Sequence, residues 1–226
     1  MATSMPPLAD LLQQVQDALG LAASPNLSTS SAPDNVFEAY VFALVLEAAQ
    51  NEGGQIAIIN EPSTSTIFRF RGSPGHLWNG NYSYAYLQFP GTNSPPDLEI
   101  HTGIYLTGRS RQIHEADIAI IDADEAEFAR DNQSPPRSNK TLLVTECKFY
   151  STDLGIGLAR GFVGLCSDLS TRENVFVSNS GSVSVARLLS HQRRRWQHGL
   201  TPDSNVETRF RSFIQDVFKE YKARFG

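Results

Sequence analysis

Cysteine is nearly absent from this 226-residue chain, which holds only Cys147 and Cys166. Two thiols supply neither a disulfide framework nor a cluster of zinc ligands, and their scarcity suits a reducing compartment. Long apolar runs are missing too. The longest, AYVFALVL at 39–46, falls far short of the roughly 20 residues a helix needs to cross a bilayer. The opening MATSMPPLAD lacks the basic start and apolar stretch of a secretory signal. These absences predict a soluble, cytoplasmic protein with no membrane partner. Charged residues are sparse at 19% while hydrophobic residues reach 40%, so the chain can bury a sizeable core and is not disordered in bulk.

Positive charge is in deficit, and a net charge of −5 argues at first against a polyanionic partner. The distribution of charge argues the other way. From Arg187 onward nine Lys or Arg face four Asp or Glu, a local +5 that leaves −10 on residues 1–186. HQRRRWQH, 191–198, sets Arg193, Arg194 and Arg195 beside Trp196. Arginine contacts phosphates and tryptophan stacks on bases, so these four are candidate nucleic-acid-binding residues. The competing expectation is a solvated helix face with Trp196 tucked into the core.

Periodicity divides the chain in two. Residues 1–34 read as an amphipathic helix at 7–19 and a Ser/Pro-rich linker at 22–35, the helix either packed back on the domain or serving as a docking arm. Residues 35–226 read as one domain. Its first helix is apolar on nearly every side and so is expected in the core, with Asn35 as N-cap and Gly53-Gly54 as the stop. A strand is expected at 55–60, then a β-rich insert at about 61–113 with strand-like pieces TIFRFR, YSYAYLQF and LEIHTGIYLTG. Further strands are expected at 114–122 and 141–150, separated by a polar loop at 123–140. A glycine-containing helix, the strand NVFVSN and a C-terminal amphipathic helix at 206–225 follow. The expected fold is α/β: a mixed central sheet flanked by helices.

Two of these strands carry chemistry. In HEADIAIID, Asp117 interrupts a run otherwise suited to burial; Glu115, Asp117, Ala119 and Ile121 share one side and Ala116, Ile118 and Ile120 the other. In VTECKFY, Glu146 and Lys148 share a side and Cys147 points away. If the strands pair, Asp117, Glu146 and Lys148 converge. Two carboxylates form an oxygen-rich site suited to Mg²⁺ or Mn²⁺, and a neighbouring ammonium can orient a water for attack on phosphorus.

At these residues the sequence resembles the PD-(D/E)XK nuclease superfamily, the restriction-endonuclease-like fold. Asp117 matches its first acid, and Glu146-Cys147-Lys148 matches its Glu-X-Lys element. The resemblance spans roughly 35–180 and departs at Ala116, where the motif's proline would stand, and in the long insert. It implies metal held by Asp117, Glu146 and the main-chain carbonyl of Cys147, with Lys148 assisting the nucleophile. Glu38 looks like the glutamate that many members carry on the preceding helix, although Asn35-x-x-Glu38 is also a capping-box spacing. The implied activity is Mg²⁺-dependent hydrolysis of nucleic acid, DNA first, in a defence or restriction role. The alternatives are a non-catalytic binding or assembly subunit on the same fold, and an RNA-directed nuclease. Without a basic docking face the chain would need a homodimer or a partner subunit to hold DNA.

Other motifs read as structural. GIGLARGFVG, 155–164, lacks the third glycine of a dinucleotide fingerprint at the right spacing, so close helix–sheet packing is the expected reason for its glycines. His114-Glu115 has no Pro-Cys-x-x-Cys partner and fails as a deaminase signature. Tyr82, Tyr84 and Tyr86 alternate onto one face, expected as a core or subunit contact before a stacking platform.

Overall fold

The computed structural model describes residues 6–19, 27–61, 68–91 and 94–225. Helix α1 (Leu8–Leu19) buries Leu11, Val15 and Leu19 in the same core as α2 (Pro33–Asn51), so it is part of the folded body and not a free arm. Helix α2 begins earlier than Asn35. Ala32 is its N-cap without a side-chain bond, and Pro33 opens the first turn, where its missing N–H costs nothing. Asn35 therefore lies inside the helix, and the capping-box role for Glu38 falls away. Twelve α2 residues from Val36 to Ala49 are buried because the helix lies between the sheet, α1 and α6 (Asn205–Lys222). Gly53, at φ +83°, ends it with a left-handed turn.

Among the described residues seven strands form one sheet in chain order. β1 (Gln55–Glu61), β2 (Tyr82–Gln88), β3 (Leu98–Thr107), β4 (Ile113–Asp122) and β5 (Thr141–Lys148) pair antiparallel. β6 (Glu173–Ser178) and β7 (Arg195–His198) continue it in parallel, reached through α4 (Ile156–Asp168) and α5 (Val183–His191). The protein is thus α/β with a mixed sheet. The stretch read as an insert supplies β2 and β3, full members of that sheet. In TIFRFR, residues 66–67 lie outside the described ones and 68–71 are not strand. The loop expected at 123–140 contains α3 (Ala123–Asp131) and a 3-10 turn, Ser138–Lys140. Ala126 and Ala129 pack α3 onto Ile121.

Strand alternation sorts the core onto two faces. Val175 and Val177 meet the α2 and α6 side, while Phe176 meets Phe162 of α4 and Val185 of α5. On β4 the alternation breaks: Ile118 and Ile120 join the α2 face, but Ala116 joins Ala119 and Ile121 on the other. The cause lies opposite Asp117. Gly103 has φ +56°, and the ladder skips from Thr102↔Ile118 to Ile104↔Ala116.

Two further expectations change, and a third holds in part. Gly157, Gly161 and Gly164 are exposed, and a Cβ at any of them would meet nothing within 4 Å, so close packing is not their reason. Phe225 lies beyond the end of α6 and is 44% exposed. As expected of a core contact, Tyr82 and Tyr84 of β2 are buried, while Tyr86 is half-buried and donates to Asp97. Among the described residues no helix is long and apolar enough to cross a membrane.

Candidate active site

β4 and β5 are neighbours whose last ladder pair at this end is Ile118↔Thr145. One step further, Asp117 and Glu146 face each other across strands that have begun to part. Asp117 is 4% exposed. Its Oδ2 accepts from the Cys147 amide at 2.6 Å and stands 3.4 Å from Lys148 Nζ. Lys148 Nζ lies 2.7 Å from Glu146 Oε1. The three residues picked out by strand periodicity therefore converge, and Cys147 is buried on the α2 side.

The elements beside β5 complete a cavity of about 250 Å³ lined by Asp34, Glu38, Glu115, Asp117, Glu146, Cys147, Lys148 and Tyr150. Helix α2 delivers Asp34 and Glu38 from its first turns. Beyond Lys148 the chain is stapled by Asn179, which is 3% exposed. Its Oδ1 accepts from the Tyr150 amide at 2.8 Å, and its Nδ2 donates to the Tyr150 carbonyl at 2.9 Å. Sequence reasoning points to neither Asn179 nor Asp34. Asn179 closes NVFVSN, where only an acid would signal a site, and Asp34 falls in the Ser/Pro-rich stretch.

Five carboxyl groups thus share the cavity with one ammonium. Burial, and then the charge of Asp117, push Glu38 up to about 8. The same two causes raise Glu146 and Glu115. Burial alone would lower Lys148, but the carboxylates of Asp117 and Glu146 outweigh it and raise its pKa, so the ammonium stays charged. The Cys147 thiol is buried and pushed up, first by burial and then by Asp117, which makes it an unreactive neighbour.

This donor set fits a hard divalent cation. Among the described residues, Asp117 Oδ1 and Glu146 Oε2 have no hydrogen-bond partner, so each carboxylate keeps one oxygen free. Oxygen donors with excess negative charge suit Mg²⁺ or Mn²⁺. No three His, Cys, Asp or Glu side chains among the described residues form a ready cage, however. Lys148 stands between the two carboxylates.

The basic segment lies elsewhere. α5 ends at His191 and β7 starts at Arg195, so Arg193, at φ +51°, and Arg194 sit in a turn and not on a helix. None of the three arginines lines the cavity. Arg195 lies over the Phe213 ring at 4.1 Å. Trp196 is half-buried against Phe176, and its Nε1 donates to Ser178 Oγ at 2.9 Å, which uses its polar edge inside the fold. His114 is also structural, 2.6 Å from Asp168. No family model matches the chain, and comparisons with curated proteins and with solved structures return no match.

Proposed function

We propose that this protein is a metal-dependent nuclease that hydrolyses phosphodiester bonds, with DNA as its first-choice substrate. The observation that carries the reading is the meeting of Asp117, Glu146 and Lys148 at the parting of β4 and β5. The resemblance of these residues to the PD-(D/E)XK motif supports the same reading. Asp117, Glu146 and the Cys147 carbonyl would hold Mg²⁺ or Mn²⁺. A bound ion supplies charge stabilisation at phosphorus and a more acidic water. Lys148 would donate a hydrogen bond to the attacking water and hold it in line. As the water oxygen bonds to phosphorus, the ester P–O bond breaks, leaving a phosphate monoester and an alcohol. Glu38 would back the site from α2, and Asn179 would keep the end of β5 in place.

A second reading, a non-catalytic binding or assembly subunit, draws on one observation: Lys148 already pairs with both carboxylates where a cation would sit. The test is to incubate the purified protein with plasmid, linear duplex, single-stranded DNA and RNA, each with Mg²⁺, Mn²⁺ or EDTA. The nuclease reading expects cleavage that EDTA stops and that D117A, E146A and K148A each abolish while remaining folded. Because the residues act together, the triple variant should be hardly worse than the worst single one. Strong residual cleavage in all three variants, or none by the wild type with either metal, overturns it. A requirement for the 2′-hydroxyl would move the substrate to RNA.

A further inference from the structure

At the other end of β5 lies a second cleft, of about 380 Å³, where strand, loop and helix meet far from the carboxylates. Lys140 precedes β5, Arg172 precedes β6, and Arg224 follows α6; the three line the cleft together with a single acid, Asp122. From Thr141 to Lys148 a strand advances about 23 Å, so this cleft and the candidate active site cannot share one phosphate.

The cleft is locally basic, with three cations to one acid. The chain as a whole is net −5, and three buried-acid partners elsewhere hold arginines: Glu99 holds Arg130, Glu125 holds Arg137 and Glu207 holds Arg211. Asp122 is 3.6 Å from Lys140 and so is already engaged. Among the described residues, neither Arg172 nor Arg224 has a carboxylate partner. Bringing these cations to one cleft costs free energy by mutual repulsion unless an anion offsets it.

The walls are tied to one another by backbone hydrogen bonds and are chemically mixed. The Arg172 amide donates to the Thr141 carbonyl at 3.2 Å, and the Ser170 amide to Ser138 Oγ at 3.1 Å, tying the Arg172 loop to the start of β5. Tyr221, held by its hydroxyl to the Pro96 carbonyl at 2.7 Å, contacts Phe225 edge-on at 5.4 Å. Phe225 is 44% exposed beside the arginines. Guanidinium groups match phosphate oxygens in a forked geometry, and an open aromatic face takes a planar ring. The volume falls within the roughly 300–1,000 Å³ typical of small-ligand sites.

We propose that this cleft binds a phosphate ester carrying a planar ring, the chemistry of a nucleotide, with Arg172 and Arg224 on the phosphates and Phe225 against the ring. The ligand is either a free nucleotide or the terminal nucleotide of a strand. The assignment is independent of the nuclease reading and can fail or hold without it.

Pyrophosphate, ADP and a short 5′-phosphorylated oligonucleotide are titrated calorimetrically into the wild type, R172Q/R224Q, F225A and D117A. Pyrophosphate and at least one ring-bearing probe are expected to saturate the wild type. Binding should weaken about tenfold or more in R172Q/R224Q, as loss of charge-assisted hydrogen bonds implies. F225A should weaken the ring-bearing probe but not pyrophosphate, and D117A should leave pyrophosphate and ADP binding unchanged. ADP binding identifies a free nucleotide; binding of the oligonucleotide alone identifies a strand end. In the unmutated protein, pyrophosphate should protect Arg172 and Arg224 from phenylglyoxal, a readout that does not depend on how the variants fold. No saturable binding at millimolar concentration, or binding unchanged in R172Q/R224Q, overturns the proposal.

Discussion

Glu38 stands in the second turn of α2, half-buried, with its carboxyl pushed up to about 8 first by burial and then by the charge of Asp117. Pro33 opens the helix, so Glu38 caps nothing. E38Q therefore removes the site's ionisable carboxyl, mostly protonated at neutral pH, without removing a cap. Cleavage should fall while the melting temperature stays level or rises slightly; an unchanged rate would take Glu38 out of the site. A second buried group offers a pH test. His101 is 1% exposed and 2.8 Å from Glu99, which Arg130 also grips. Burial lowers its pKa from the ordinary 6.5, against the opposing hydrogen bond to Glu99. An unfolded chain takes up a proton at this ring near 6.5, but the folded one resists. The stabilisation is therefore present above 6.5 and is lost as pH falls through the lower folded value. Burial opposes ionisation of Glu99, but its bonds to Arg130 and His101 prevail and lower it, so a second loss begins below 4.5. Melting temperature should drop between about pH 7 and 5 in the wild type and drop less in H101Q.

At the level of elements, strands were more legible than the reasons for their ends. β4, β5 and β6 lie where period-two patterns put them, because which side a residue takes follows from its immediate neighbours. α3 is not legible because ADEAEFARD is polar on most sides; it forms through the packing of Ala126 and Ala129, which short-range pattern does not announce. The α4 glycines lack the packing role expected of them. A helical glycine with no neighbour that needs its bareness costs conformational entropy for no contact in return. G161A and G164A should each stabilise the protein by about 0.5–1 kcal/mol, measured by urea denaturation. A loss of stability would mean that something unseen meets that face.

For the molecule as a whole, the −5 net charge and the +5 carried by residues 187–226 frame how a polyanion would be held. The fold spreads that positive charge. Arg195 pairs in register with Val175, which in turn pairs with Thr145, so it lies two strands from β5 and over Phe213. Trp196 is pinned to Ser178 and belongs to the core. The arginines can therefore serve as distant phosphate contacts, without base stacking. R193Q/R194Q/R195Q should weaken DNA binding equally across sequences and flatten its dependence on log salt by up to about three units, leaving the rate at saturating substrate unchanged. If affinity and salt slope both stay put, the triplet serves a surface turn or a partner chain, and a second subunit must hold the substrate.

By itself, the sequence determined what short-range alternation can specify. It set the buried α2, the amphipathic α6, the two acid-bearing strands, and the shared side of Glu146 and Lys148 two residues apart. Those features depend on periods of 3.6 and 2.0, which are local geometry. Tertiary structure alone decided the rest. It made β4 and β5 neighbours in a register that sets Asp117 opposite Glu146, and brought Glu38 over them from α2. Asn179 reaches back to Tyr150 across 29 residues, and Arg172 meets Arg224 across 52. Such meetings depend on strand pairing and helix docking between segments far apart in the chain. Their partners cannot be identified until the sheet is assembled, because no local pattern encodes which distant residue will arrive.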